Sequence, residues 1–397
     1  MRRRRAVVVG AGVGGLTAAV ALHRRGWQVT VCERASDPPV TGAGIGLAPN
    51  ALRALRAIDV DVTRTTGSAV PLVMGVRRSD GRWLTRTSTA DLAARYGTPP
   101  IAVPRPALTV ALAAALPAEA LRYGTAVTAV DDAAGRPVLR TETGPDLPAD
   151  LVVAADGIHS PLRRAHFPAH PGLRYLGETA WRALVEAPDL RVQAMSETWG
   201  RGERFGVTPL SDGRFYLYAT AAVPAGAPAG DPRAELRRRF GSWHDPIPAL
   251  LDRVGRLAVA DVLRHDLYEL AAPLPRLHHG RIAWLGDAAH AMAPNLGQGG
   301  CQAVEDAVVL AHLLPAGDGD DDADAVPAAL AAYTAARRDR TDAVRVRARR
   351  VGRLGAVRHP LAAAARDLAV RATPDRLAVR GMDDLFDGFR LPARPGT

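Results

Sequence analysis

The apolar positions of this chain follow two rhythms. Ala6–Val9 is a short, mostly β-branched run and reads as a buried strand. After it Leu16, Ala19, Val20 and Leu22 recur at helical spacing, and Gly26 ends the helix. Trp27–Cys32 then reads as a second strand, with Val29 and Val31 on one side. Asp150–Ala154 and Arg281–Leu285 are further continuous apolar runs of the kind buried on both faces. The second of these leads through a loop into a helix from about Cys301 to Leu313.

Elsewhere apolar and polar residues alternate. Val70–Arg78 and Trp83–Thr87 flank Asp80-Gly81 as a hairpin, and the strand-rich segment 173–221 has a second turn at Asp212-Gly213. Leu121–Val130 and Pro137–Thr143 predict a meander, and residues 42–57 a glycine loop running into a helix. Pro104–Leu116, Asp231–Phe240 and Pro246–Leu251 predict short helices. From Pro327 onward alanine and arginine dominate with helical periodicity. The expected architecture is α/β. A discontinuous nucleotide-type domain (1–70, 98–172, 275–325) carries an inserted, mostly antiparallel β-sheet domain (71–97, 173–274), and a helical segment (326–397) follows.

Composition changes this picture in three places. Arg2–Arg5 precede seventeen uncharged residues, which imitates a secretory signal, but the glycines at 10, 12 and 15 are poor in a signal helix and are regularly placed. Cys32 and Cys301 are the only cysteines and belong to no Cys/His cluster, so neither a disulfide framework nor a zinc site is expected. The acidic run 318–324 lacks the glycine and glutamate of a calcium loop, so no metal is expected there either. A cytoplasmic protein fits. The net charge is +10 without a single lysine; the arginines are spread along the chain, so solvated faces are expected, with no nucleic acid and no membrane as partner. A basic, nucleotide-sensing binding protein is the alternative from outside enzymology.

The glycines carry the first chemistry. Gly10, Gly12 and Gly15 spell G-x-G-x-x-G between strand and helix, and Glu33 closes the next strand 23 residues after Gly10. Such a turn brings backbone N–H groups and the positive end of a helix to a pyrophosphate, while the acid accepts from ribose hydroxyls. Gly286-Asp287 ends a second buried strand, where an aspartate can hold the hydroxyls of a sugar-like chain. Pro294–Gly300 then makes a glycine-rich entry to a helix, either a ligand cradle or only a tight turn. Asp156-Gly157 follows a buried strand and precedes a helix start, unlike the two hairpin Asp-Gly pairs. Arg204 and Tyr216 flank the Asp212-Gly213 turn, and counting outward places them near each other across the ladder. An arginine there can hold an anionic or carbonyl group, and a tyrosine can orient or deprotonate a ring hydroxyl. Trp181-Arg182 is a weaker pair of the same kind. His290 is expected to bond loop backbone and Cys301 to pack.

GAGVGG with Glu33-Arg34, AADGIHSPLRR (154–164) and LGDAAHAMAPNLGQGGCQAVEDA (285–307) together resemble the three motifs of the single-component, class A flavin monooxygenases, the p-hydroxybenzoate hydroxylase-like family. The resemblance spans residues 1 to about 345. It implies a Rossmann-like FAD domain, tightly held FAD, transient NAD(P)H and activation of O2 as a flavin C4a-hydroperoxide. It assigns Gly10, Gly12, Gly15, Glu33 and Arg34 to the ADP half of FAD, and Arg105 to its phosphates and ribityl chain. It assigns Asp156 and Gly157 to the family's DG motif, and Gly286 and Asp287 to the ribityl and pyrophosphate region. Pro294 would stand by the reacting face, and Gly297, Gln298, Gly299 and Gly300 along the pyrimidine edge. The expected reaction is hydroxylation of a small aromatic or heteroaromatic substrate by a monomer or homodimer. Alkene epoxidation and a flavin dehydrogenase or reductase are the alternatives.

Overall fold

The computed structural model describes residues 3–38, 43–65, 70–132, 135–318 and 324–394. Arg2 and most of the acidic run 318–324 lie outside them. Six strands form the first sheet, in the order His278–His279, Ile282–Trp284, Leu151–Ala154, Arg5–Val9, Gln28–Cys32 and Leu121–Arg122. All neighbours run parallel except the edge strand His278–His279. Its inner strands are apolar because both faces are covered. The helices Val13–His23 and Gly299–Leu313 pack against each other beside it, and ten of the eleven residues of Val13–His23 are buried. That helix therefore has no polar stripe, and its glycine-rich start, rather than amphipathicity, announces it.

Seven strands form the second sheet, in the order Leu263–Leu270, Leu173–Glu186, Arg214–Ala221, Glu203–Pro209, Ala194–Trp199, Val73–Arg78 and Trp83–Ser88. It is antiparallel except where Ala194–Trp199 runs along Val73–Arg78. One face buries Trp181, Ala183, Val185, Phe205, Val207, Phe215 and Leu217 in a core shared with Leu236, Phe240, Ile247 and Leu250 of two short helices. By alternation the opposite face carries Arg182, Arg204, Tyr216 and Tyr218. A 31-residue helix, Ala325–Gly355, about 46 Å long, touches both halves of the molecule.

Two local expectations need correction. Leu121–Arg122 does not join the meander; it adds a parallel edge strand to the first sheet, and the meander is Val127–Asp131, Val138–Thr141 and Leu147–Pro148. Within 42–57 the chain is not a loop throughout, because Gly44–Leu47 pairs with Ile101–Pro104 before the helix Pro49–Arg56 begins. Two glycines hid that strand, since they lower apparent strand propensity.

Candidate functional site

Three loops leave the carboxyl ends of three adjacent parallel strands, Arg5–Val9, Leu151–Ala154 and Ile282–Trp284. In such sheets this edge is where ligands bind. Gly10 has φ +104°, and a Cβ on it would lie 2.4 Å from the Ala155 carbonyl oxygen. A Cβ on Gly15 would lie 2.0 Å from the Gly10 oxygen, so helix and strand close up only around glycine. Gly12 caps the helix Val13–His23, and a Cβ there would meet nothing within 4 Å. The Glu33 carboxylate accepts from the Ala11 N–H (2.8 Å) and the Ala35 N–H (2.9 Å), which braces the turn and leaves lone pairs for a ligand. Arg34 is exposed beside it.

Asp156 and Gly157, the latter at φ +78°, form the second loop. One Asp156 oxygen accepts weakly from the Leu162 N–H at 3.4 Å; the other is buried with no partner. Burial pushes this carboxyl above its ordinary range. Ser160 caps the following short helix by accepting from the Arg163 N–H at 2.9 Å. The buried Arg163 guanidinium donates to the carbonyls of Ile158 (2.6 Å) and Ala288 (3.0 Å) and so fastens the second loop to the third. Sequence reasoning missed it, because nothing in the spacing of Arg163-Arg164 says which of the two turns inward.

The third loop begins at Gly286, φ +59°, whose N–H donates to Asp306 at 3.0 Å. Asp287 is exposed, and its carboxylate lies 3.9 Å from where a Gly299 Cβ would be. Pro294 is exposed at the start of a single 3-10 turn that Gly297 closes at φ +62°. The helix Gly299–Leu313 follows, with its first N–H groups at the loop. The Gln298 side chain is buried: its amide oxygen accepts from Asn50 (3.0 Å) and Gln302 (3.2 Å), while its amide nitrogen has no partner among the described residues. His290 does not bond loop backbone; its Nε2 meets the Asp306 carboxylate at 2.5 Å. Burial alone would raise the Asp306 carboxyl, but His290 and Arg337 outweigh it and hold Asp306 well below the usual carboxylate range. Cys301 is fully buried and burial pushes its thiol up to about 12.

Arg337 overturns the expectation of solvated arginines. It is 2% exposed and donates to Asp306 (2.7 Å), Glu305 (2.5 Å) and the Gln302 side chain (2.7 Å). Arg340 adds two 2.8 Å bonds to Glu305. The arginine-rich helix thus neutralises buried carboxylates behind the 286–300 loop. Its periodicity was legible, but its acidic partners lie more than thirty residues upstream.

Arg204 and Tyr216 share a face but are not opposite each other. Arg204 pairs with Thr220 and Tyr216 with Thr208, so the two stand four residues apart along the ladder, about 13 Å. Arg204 is 1% exposed and grips Glu178 with bonds of 2.9 and 2.8 Å, bonds Thr220 at 3.0 Å, and donates to the Asn295 side chain beside Pro294. Its charge is already neutralised. Tyr216 lies against Gly44, where a Cβ would come within 2.5 Å of its ring, and the neighbouring Ile45 sits on Gly300. Burial raises the Tyr216 phenol, while Arg182, facing its hydroxyl, and Arg105, exposed nearby, partly offset this. Tyr218, beside it, donates to Glu197 at 2.6 Å.

The open backbone at Gly12, the orphaned Asp156 oxygen and the uncapped start of Gly299–Leu313 lie along one sheet edge and fit a dinucleotide with hydroxyl-bearing and anionic parts. Comparison with known proteins agrees with that geometry. The family model described as FAD binding domain matches residues 3–348. The chain is 36% identical to an aurachin C monooxygenase/isomerase of Stigmatella aurantiaca over 377 residues, 94% of this chain and 96% of that one. It is 33% identical to an FAD-dependent urate hydroxylase of Klebsiella pneumoniae over 353 residues, 87% and 89% of the two chains. The crystal structure of Klebsiella pneumoniae HpxO with FAD and uric acid superposes with a TM-score of 0.88 at 31% identity, covering 98% of each chain.

Proposed function

The chain belongs to the FAD-dependent class A monooxygenases, and from that premise we propose that it places one oxygen atom of O2 on a small aromatic or heteroaromatic ring at the expense of NAD(P)H. Bound FAD supplies the transfer of electrons from NAD(P)H and the activation of O2. The protein supplies grip, orientation and a dry site.

Gly10, Gly12 and Gly15 shape the turn that receives the pyrophosphate on the first N–H groups of Val13–His23. Glu33 takes the adenosine ribose with the lone pairs that Ala11 and Ala35 leave over, and exposed Arg34 flanks it. The unpaired Asp156 oxygen, exposed Asp287 and Arg105 hold the hydroxyls and phosphates between the two ends. Backbone N–H groups from Gly297 to Gly300, at the positive end of Gly299–Leu313, stabilise negative charge on the pyrimidine edge. Pro294 forms part of the wall at the reacting face, which Asn295 and Arg204 hold in place.

Tyr216 meets the substrate. Its phenol is protonated at neutral pH, so it orients a ring oxygen or nitrogen by donating a hydrogen bond and does not act as the base. Arg204, locked to Glu178, is a positioning residue and not a substrate ligand. One observation carries this reading: Tyr216 of the second sheet reaches Gly44 while Ile45 reaches Gly300, so the substrate face and the flavin-type loop share one small strand. The test is a screen of aromatic and heteroaromatic compounds for stimulated NAD(P)H oxidation, with products analysed after reaction under 18O2. Label in the product is the expected result. Stimulated oxidation with unlabelled product for every active compound would refute oxygen transfer.

A further inference from the structure

The helix Pro360–Ala372 is inside out. Its buried side carries an arginine: Arg366 is 7% exposed, donates to the carbonyls of Gly200 (3.2 Å) and Leu354 (3.3 Å), bonds Asp367, and lies 5.2 Å from the Trp199 ring centre. Its outer side carries the apolar residues. Leu361 is 76% and Leu368 69% exposed, and Ala364, Ala365 and Ala372 are exposed with them. The spacing i, i+3, i+4, i+7, i+11 puts all five on one stripe. Leu354 and Leu377, on the elements before and after, are exposed too. Folding does not use this surface; a water-facing helix ordinarily shows the opposite pattern.

The surroundings are cationic. Between positions 343 and 374 the chain has eight arginines and one acidic residue, Asp367, which is taken by Arg366. Arg350, Arg353, Arg358 and Arg371 are exposed, and among the described residues none has an ion-pair partner. A second copy is a poor occupant for such a surface. The helix is only about 20 Å long, its stripe is small beside the roughly 800 Å² per partner of a stable interface, and pairing would bring like charges together.

We propose that this stripe docks on an anionic lipid surface, the leucines entering the boundary of headgroups and acyl chains while the exposed arginines meet lipid phosphates. Both contributions follow general rules: an apolar helix face binds by buried area, and nearby arginines add attraction to acidic lipid that salt screens. Among the described residues no helix is long and apolar enough to cross a membrane, so the attachment is peripheral and reversible.

The experiment uses the FAD-loaded full chain with sedimented vesicles, either phosphatidylcholine alone or phosphatidylcholine mixed with phosphatidylglycerol. Binding to the mixed vesicles, weak binding to the neutral ones and release by salt are expected. The double substitution L361S/L368S is expected to lower partition roughly tenfold or more. These side chains are exposed, so its flavin content stays that of the parent. Equal binding by parent and variant, or no binding of the parent to either vesicle, overturns the proposal. So does sedimentation velocity showing a dimer that the same substitutions dissolve, which would assign the stripe to a second copy.

Discussion

Replacing Arg337 with glutamine tests whether the long C-terminal helix supports the 286–300 loop electrostatically. Arg337 is the cation between two carboxylates that are fully buried, Glu305 and Asp306. In R337Q, Glu305 keeps Arg340 and Asp306 keeps His290 and the Gly286 N–H, but both buried carboxylates lose the guanidinium they share. Breaking a buried pair on one side costs about 3–5 kcal/mol. A chain of this size unfolds with an entropy near 0.8 kcal/mol per degree, so Tm should fall by about 4–6 °C. The pH dependence follows from the direction of the shift. In the parent, Asp306 lies below its unfolded value, so its contribution is complete above about pH 4 and is lost as pH falls further. In R337Q its folded value rises, and protonation relieves the loss of the Arg337 charge at higher pH than in the parent. The Tm gap should therefore be widest near pH 7 and narrower near pH 4.5. Thermal unfolding followed by circular dichroism at both pH values measures it. A loss below about 1 °C, or the same gap at both, would refute the reasoning.

Asp287→Ala should abolish most flavin retention without lowering Tm of the flavin-free protein, because the side chain is exposed and braces nothing; absorbance near the flavin bands after gel filtration reports the ratio. In Gly15→Ala the new methyl would stand 2.0 Å from the Gly10 oxygen, so flavin content and Tm should fall together, the latter measured by calorimetry. Tyr216→Phe should leave flavin bound while raising KM and the fraction of NAD(P)H oxidised without product, seen by comparing cofactor consumed with product formed. Cys301 should resist thiol reagents in the native protein: with its thiol at about 12, only about one molecule in ten thousand is thiolate at pH 8, and Cys32 at about 11 is little better. Rapid labelling before denaturant is added would contradict that.

The three strand-to-glycine loops were legible because each couples an apolar strand to glycines whose role is local. Gly10, Gly157, Gly286 and Gly297 all take positive φ, and their neighbours in sequence explain why. The strands of the second sheet were legible from alternation and from Asp212-Gly213, but the register was not. Counting outward from the turn set Arg204 near Tyr216, but Arg204 pairs with Thr220 and Tyr216 with Thr208. Least legible were the buried charges. Glu178 with Arg204, and Arg337 with Glu305 and Asp306, are joined by the fold and separated by 26 to 32 residues in the chain, and an arginine bound for the interior looks in sequence like any other. The inward Gln298 side chain belongs to the same group, since its partner Asn50 is 248 residues away.

Gly352 and Gly355, three apart near the end of the long helix, face inward on one side. A methyl on the first would strike the Asn295 amide at 2.1 Å, and on the second the Arg204 side chain at 2.6 Å. In a chain so rich in alanine, the smallest of changes at either position would push on the segment bearing Pro294 from behind. The placement of Pro294 is thus answerable to two missing carbon atoms more than fifty residues downstream, and substitutions sought only around the 286–300 loop would overlook them.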